Sequence, residues 1–373
     1  MAATETSTQY ERHLESLRER EWRRDDVPFY EKGEPPAFDA YAAIDYLDVY
    51  ERVWGRPCGE NGIGRLREVA ITLITEAEFA IYDERYPFHE DLPWLESQGI
   101  LRGDFHRMQE EQAAYKELLE ASGVLVHEID WGEAPMSAFG PMQLQWAPSD
   151  LWVIRGGSIV QKPGWHPFSF GRSEWMARWA QHHLGIPILY TLTGRAVQEP
   201  ATTMWFAEDV WVTGISCAYN EEGNRQLLPV IQRTAGVEEL EVHTVYLPTA
   251  IYFDRRTGVS GHLTNVLCAL DIDKALIYPP GLDTGTHRWL REKGYRIAEA
   301  DKEEQILFTP TNIIPLEPGV CFMVKEARRA IAAVRALGVE VIEVPNSEFN
   351  CVGGALHCRT LRILRDPGPY KNH

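Results

Sequence analysis

The 373-residue sequence has no uninterrupted apolar run near the roughly 18 residues that a membrane-spanning helix needs. Its first residues contain no apolar core and no small-residue cleavage motif, so we expect no export signal. Cysteine is scarce, with six residues and neither a CxxC pair nor the Cys/His spacing of a zinc site. These absences predict a soluble, cytoplasmic protein with free thiols and no metal.

Positive charge is also scarce, with 37 Lys and Arg residues against 55 Asp and Glu residues and a formal net charge of −18. Binding to nucleic acid or to an anionic membrane needs concentrated Lys and Arg, so we exclude both partners. A small cationic substrate fits the acidic balance better. The apolar fraction of 44% is that of a globular chain and excludes a disordered or fibrous protein.

A repeated pattern runs through most of the chain. Five amphipathic stretches with helical spacing each end at a glycine, which is followed by a short apolar run. Glycine is favoured directly after a helix because it adopts positive φ without steric cost. Segments rich in Val, Ile and aromatic residues, which are typical of strands, precede these helices. The five glycines are Gly123, Gly185, Gly236, Gly294 and Gly338.

This repeat predicts five similar α/β modules. The last apolar run, within LHCRTLRILR, has no helix after it and can complete the first module, which would close a ring as in propellers. Residues 1–60 stand outside the repeat and predict an N-terminal helical extension, with helical stretches at 7–22 and near 40–53. Residues 61–373 then form the predicted α/β propeller domain. Packing on the ring, a lid and an oligomer contact are the open alternatives for the extension.

Each strand-type segment opens with a polar residue that apolar packing does not require. Equivalent strand starts converge in a ring of similar modules, so we expect these side chains to share one central pocket. Each residue alone has an ordinary structural explanation, such as a turn for an acidic residue or burial for a cysteine. The shared register is therefore the evidence. The residues are Asp150, Glu208 with Asp209, His262, Asn312 and Cys358.

Four segments then resemble a known family, the guanidino-group modifying enzymes or penteins. GGALHCRTL, around Cys358, resembles their G-G-x-H-C-x-T segment, and GHLTNVL, around His262, resembles their His-Leu/Ile-Asp segment. PSD and EDVWVTG resemble their two carboxylate segments. The family includes arginine deiminases, dimethylargininases, agmatine deiminases and amidinotransferases, and the resemblance covers residues 60–366.

The resemblance implies a five-bladed, pseudo-symmetric α/β propeller of ββαβ modules with its site at the centre. It implies that Cys358 is the nucleophile, His262 the general acid/base and Asp209 the partner of His262. Asp150 would bind the guanidinium. The family's carboxylate segment reads FAED here, so Glu208 is the alternative to Asp209, which we prefer because it directly precedes the strand.

The remaining predicted substrate-binding residues are Glu208, Thr264, Asn312 and Arg155. Thr264 stands where deiminases and amidinotransferases carry an Asp, a departure shared with dimethylargininase-like members that favours a substituted guanidine or a different grip. Arg155, Arg172 and Arg359 are candidates for binding an α-carboxylate, from their placement alone.

The implied function is a cysteine-dependent hydrolase that cleaves a C–N bond of arginine or a related guanidino compound through a covalent thiouronium on Cys358. A thiolate is nucleophilic enough for this carbon, and His262 would protonate the departing amine and later deprotonate water. No metal or organic cofactor is required. An amidinotransferase is the first alternative, favoured by the long N-terminal extension, and a non-catalytic binder of cationic guanidino ligands is the second. A homodimer is left open.

Overall fold

The computed structural model describes residues 15, 18–19, 29–75, 103–130, 136–137, 140–141, 146–163, 169–249 and 253–372. Within these ranges the strands form five three-stranded sheets and one small hairpin. The strands are β1 (Leu66–Thr72), β2 (Leu125–Ile129), β3 (Met136–Ser137), β4 (Gly140–Pro141), β5 (Leu151–Ile154), β6 (Gly157–Val160), β7 (Ile188–Thr191), β8 (Thr203–Ala207), β9 (Val210–Ile215), β10 (Glu241–Tyr246), β11 (Leu267–Asp271), β12 (Lys274–Ile277), β13 (Arg296–Glu299), β14 (Ile314–Glu317), β15 (Val320–Val324), β16 (Glu340–Val344) and β17 (Leu361–Arg365).

The five sheets share one topology. In four of them a hairpin of two antiparallel strands is followed by a helix and then by a third strand, parallel to the second, which is the predicted ββαβ module. In the fifth, β17 pairs antiparallel with β1, and β1 pairs parallel with β2. The last strand of the chain therefore completes the first sheet. Five three-stranded sheets with connecting helices fit the predicted α/β propeller-like fold.

Two of the described helices precede β1, and the others connect strands. They are α1 (Phe38–Ala42), α2 (Tyr46–Trp54), α3 (Phe105–Ala121), α4 (Arg172–Leu184), α5 (Glu221–Thr234), α6 (Thr284–Glu292), α7 (Lys302–Phe308), α8 (Arg328–Ala336) and α9 (Ser347–Cys351). Short polar side chains cap several N-termini: Asp104, Asn220 and Asp283 each accept a bond from a backbone N–H of the first turn. All five glycines of the sequence repeat have positive φ, which confirms the predicted helix ends.

The helices pack through one apolar face onto the sheets. In α8, for example, Ile331 and Val334 are buried in a cluster that includes Phe322 of β15 and Val341 of β16. Full burial of one such aliphatic side chain stabilises the fold by about 1.5–3 kcal/mol. Similar clusters form where α4, α5 and α6 pack onto their sheets.

The predicted helical stretch near 40–53 appears as α1 and α2, and most of the stretch at 7–22 lies outside the described residues. Tyr46 of α2 donates a hydrogen bond to the carbonyl of Gly156, in the turn between β5 and β6. A domain boundary at residue 60 stays a prediction. None of the described helices has the length and apolar character that crossing a membrane requires.

Candidate active site

Four short 3-10 turns each lead into the first strand of a sheet. They span Ala147–Asp150 before β5, Pro200–Thr202 before β8, Leu263–Asn265 before β11 and His357–Arg359 before β17. The first turn contacts the fourth and the second, and the second contacts the third. The strand starts therefore meet, as the repeat predicts.

Cys358 lies in the last of these turns, beside Asn312 at the start of β14. The Asn312 Nδ2 atom donates to the Cys358 Sγ atom at 3.2 Å and to Asn265 Oδ1 at 2.8 Å. Asn312 Oδ1 accepts from the backbone N–H of His357 at 2.9 Å, so one amide fixes both the turn and the thiol. The structure thus brings two predicted site residues, Asn312 and Cys358, into contact.

The paired glycines before Cys358 serve close packing. A Cβ atom on Gly354 would lie 2.4 Å from the ring of Trp146, which is closer than real Cβ contacts allow. Gly353 has a φ of 93°, which disfavours a side chain. The GG pair therefore lets the cysteine turn approach the turn that carries Asp150.

His262 is held from two directions. Its backbone N–H donates to Ser260 Oγ at 3.0 Å, and its Nε2 atom lies 2.7 Å from Glu199 Oε2. His262 and Glu199 are both buried, so their interaction is poorly screened by water. A carboxylate in this position orients an imidazole and stabilises its protonated form.

Asp150 forms an ion pair with Arg172, the first residue of α4, and both side chains are largely buried. Burial raises the pKa of Asp150 to about 6; Arg172 opposes this shift, and the nearby Glu199 adds to it. Burial also raises the pKa of the Cys358 thiol. A backbone hydrogen bond at Ala355, the Asn312 amide and the charge of Arg362 oppose the rise, and Asp150 adds to it.

The structure does not bring Asp209 to His262. Glu208 and Asp209 form the turn between β8 and β9, which is the opposite end of β8 from Glu199. Asp209 accepts hydrogen bonds from the backbone N–H groups of Lys371 and Asn372, at 2.7 and 2.8 Å. Its contacts therefore anchor the C-terminal segment, and the predicted Asp209–His262 pair is replaced by Glu199–His262.

Glu208 and Arg155 belong to the same distant end of the sheets. Arg155 lies in the turn between β5 and β6 and donates to Glu208 Oε1 at 2.8 Å and to the carbonyl of Ala235. Glu208 also accepts from the backbone of Gly368. Neither residue joins the cluster around Cys358, because both sit at hairpin turns rather than at the starts of first strands.

The other predicted residues have different surroundings. Arg359 is fully buried, donates to Gln112 and stacks over the rings of Tyr115 and Phe349 at 4.6 and 4.0 Å. These contacts stabilise the core instead of leaving the guanidinium for a substrate carboxylate. Thr264 is buried in the third 3-10 turn, and its Oγ1 atom has no hydrogen-bond partner among the described residues.

Sequence reasoning missed Glu199, although a signal was present. The segment QEPAT places an acidic residue and a proline a few residues before the strand TMWFA, much as PSD contains both before LWVI. Proline is common in the first turn of a helix, so EP followed by small residues indicates a short turn before a strand. Taking β8 rather than β9 as the first strand of its module would have aligned Glu199 with Asp150 and His262.

Solved structures of other proteins have a similar fold. No protein-family model matches the sequence. Dimethylarginine dimethylaminohydrolase from Pseudomonas aeruginosa, solved with citrulline as a cysteine-to-serine mutant, superposes with a TM-score of 0.58 at 16% identity, over 80% of this chain and 99% of that one. An amidinotransferase from the saxitoxin pathway of Microseira wollei superposes with a TM-score of 0.59 at 15% identity, over 83% and 97% of the two chains.

One relative is similar over nearly its whole length. The 2-nitroimidazole nitrohydrolase of Mycobacterium sp. (strain JS330) is 33% identical over 366 residues, which cover 94% of this chain and 93% of the relative. With the superposed structures, this relative shows that the chain belongs to the guanidino-group modifying enzyme, or pentein, superfamily, which confirms the predicted membership.

Proposed function

We propose that the protein is a hydrolase in which Cys358 attacks a carbon bonded to three nitrogen atoms, and that its substrate is a neutral 2-nitro-substituted azole. The central carbon of a guanidinium and C2 of a 2-nitroimidazole share this bonding, so one nucleophile and one acid/base serve both. The 33% sequence identity with a 2-nitroimidazole nitrohydrolase supports a nitroazole as the substrate. Arginine, the substrate expected from the sequence, becomes the second candidate.

The observation that carries the choice is the pairing of charges around the thiol. Binding a guanidinium cation in a dry pocket requires carboxylates that are not already neutralised. Asp150 is paired with the guanidinium of Arg172, and one Glu199 oxygen is already engaged by His262 Nε2 at 2.7 Å. Thr264, where deiminases carry an aspartate, brings no charge. This balance supports a neutral, electron-poor substrate over a cation.

The proposed reaction has two steps. The Cys358 thiolate adds to C2, and the bond to the nitro group breaks so that nitrite leaves with the bonding electron pair. His262 then removes a proton from water, the hydroxide adds to the same carbon, and the C–S bond breaks to restore the thiolate. Overall, a hydroxyl group from water replaces the nitro group, and nitrite and one proton are released. Asn312 donates to the sulfur, and Glu199 stabilises the imidazolium that forms.

Guanidino hydrolysis would use the same residues with a different leaving group. His262 would then protonate a departing amine, whereas nitrite is a stable anion and leaves without a proton. The superposed dimethylarginine dimethylaminohydrolase, solved with citrulline, favours this second candidate. Amidino transfer shares the first step and differs in the nucleophile that attacks the intermediate.

The test is product analysis with 2-nitroimidazole, arginine and N-methylated arginines, each with and without an amine acceptor. We expect nitrite to form in proportion to the nitroimidazole consumed, with kcat/KM at least about tenfold above that for any arginine. Cys358→Ser should stop nitrite release. Cys351→Ser is the matched control, because Cys351 is a half-buried free thiol in α9, and it should leave nitrite release unchanged.

Other products identify the alternatives directly. Citrulline with ammonia or an amine, and no nitrite, would replace the nitroazole by the guanidino hydrolase. Ornithine with a new guanidine would indicate an amidinotransferase. If titration shows that one of these compounds binds and none of them is turned over, the protein is a binder rather than an enzyme.

A further inference from the structure

A cavity lies next to the turn that carries Cys358, where the first strands of the five sheets meet. This cavity of about 40 Å³ is lined by residues at the first strands of all five sheets, among them Trp152, Trp205, Cys268, Pro315 and Arg362. Cys358, His262, Glu199 and Asp150 do not line it. Since a buried water occupies roughly 10–15 Å³ of such volume, the cavity has room for about three waters or for one small ion of three or four atoms.

The walls of this cavity carry an excess of positive charge. Arg362 and Arg365 of β17 both line it, with Glu60 as their carboxylate partner. Arg362 Nε donates to Glu60 Oε1 at 2.6 Å, and Arg365 Nε lies 3.8 Å from the same atom. Two guanidinium groups therefore share one carboxylate. Burial lowers the pKa of Arg365 to about 10, which still leaves it charged at neutral pH.

The histidine on the wall does not add to this charge. His357 lines the cavity, and burial together with the charge of Arg362 holds its pKa well below the usual range. The neutral imidazole lies 3.5 Å from Arg362 Nη1 through its Nδ1 atom. The net charge of the titratable lining groups is then positive by one.

Several donors around the cavity lack partners. Arg362 donates from Nε to Glu60 and from Nη1 to the carbonyl of Thr360. Its Nη2 atom makes no hydrogen bond within the described residues. Trp205 Nε1 and Thr264 Oγ1 are buried, belong to lining residues and also have no partner in the described part of the chain. Buried donors without acceptors are costly, and an anion in the cavity would supply acceptors and balance the charge.

We propose that this cavity is a binding site for a small planar inorganic oxyanion of the size of nitrite or nitrate. A guanidinium edge suits a planar oxyanion because its N–H groups are coplanar and can bind two oxygens at once. The residue before Cys358, His357, lines the cavity. If the proposed function holds, this site accommodates the nitrite released at Cys358, and only this link rests on the proposed function. Arg362 lines the cavity, and its charge also opposes the rise in the pKa of the Cys358 thiol, so this arginine belongs to the surroundings of both sites.

The test measures binding to the resting protein, so it does not depend on turnover. Isothermal titration with sodium nitrate and sodium nitrite, at constant ionic strength, should show one saturable site per chain. Sulfate, which is larger, should not compete. Thr264→Asp places a carboxylate at the cavity wall and should weaken nitrate binding by at least about tenfold, because it removes the charge excess. Thr264→Val keeps the shape, removes a hydroxyl and should weaken binding by a smaller factor.

The matched control is Arg155→Gln, which removes an arginine paired with Glu208 outside the cavity, and it should leave nitrate binding unchanged. The proposal is overturned if wild type shows no saturable nitrate binding, if both Thr264 variants bind nitrate as wild type does, or if Arg155→Gln loses binding as they do. Nitrate binding without any nitrite-releasing activity would leave the site standing and refute the nitroazole function. Nitrite release without nitrate binding would support the nitroazole function and overturn the oxyanion site.

Discussion

The pairing of His262 with Glu199, rather than with Asp209, leads to a prediction that two conservative substitutions can test. Glu199→Gln keeps the volume of the side chain and its ability to accept from His262 Nε2, but removes the negative charge 2.7 Å from that ring. Asp209→Asn makes the same chemical change in a buried carboxylate that bonds to Lys371 and Asn372 instead. The two variants therefore form a matched pair.

The expected size follows from the strength of the lost interaction. A hydrogen bond to a charged group contributes about 1.5–3 kcal/mol and a neutral one about 0.5–1.5 kcal/mol, so the imidazolium loses about 1–2 kcal/mol in Glu199→Gln. Since 1.4 kcal/mol corresponds to a factor of ten, kcat/KM for nitrite release should fall about 5- to 30-fold. Both groups are largely buried, so solvent screening does not reduce this figure much.

Asp209→Asn should lower the stability of the protein and leave its kcat/KM almost unchanged. Its amide oxygen can replace only part of what the carboxylate offers to two backbone N–H groups, so we expect a loss of stability of about 1 kcal/mol and a lower melting temperature. The kcat/KM should stay within about twofold of wild type. Steady-state nitrite assays and thermal unfolding of both variants provide the measurement. If Asp209→Asn loses as much kcat/KM as Glu199→Gln, the assignment of the histidine partner made from the geometry is wrong.

Three further predictions concern the thiol and its neighbours. Cys358→Ser should keep the fold and lose more than about 99% of activity, because loss of a nucleophile costs several orders of magnitude, and a larger remaining activity would contradict covalent catalysis. Because burial raises the pKa of Cys358, its alkylation by iodoacetamide should speed up as pH rises beyond 9, whereas an early plateau would argue for an activated resting thiolate. Asn312→Ala removes the donor 3.2 Å from the sulfur and should raise that pKa further, seen as slower alkylation at a given pH.

The sequence alone determined the module pattern and much of the cluster. Helix ends, hairpins and apolar runs are local features, since glycine at a helix end and alternating apolar residues in a strand act over a few residues. The five glycines therefore appear at positive φ, and the sheets have the predicted three strands. The strand starts at Asp150, Asn312 and Cys358 also follow from this local register, because each lies just before the first strand of its module.

The partners of those residues were decided by the tertiary structure. Glu199 lies 63 positions from His262, and Arg172 is the first residue of a helix that sequence reasoning did not connect with Asp150. The sequence analysis took β9 instead of β8 as the first strand of the third module, and this led to Asp209 as the partner of His262. The mistake is easy to make because acidic residues lie at both ends of β8. Charge pairing acts through space between separate elements. It therefore emerges only when the five sheets are assembled, and with it come the balance of charge around Cys358 and the cationic cavity behind it.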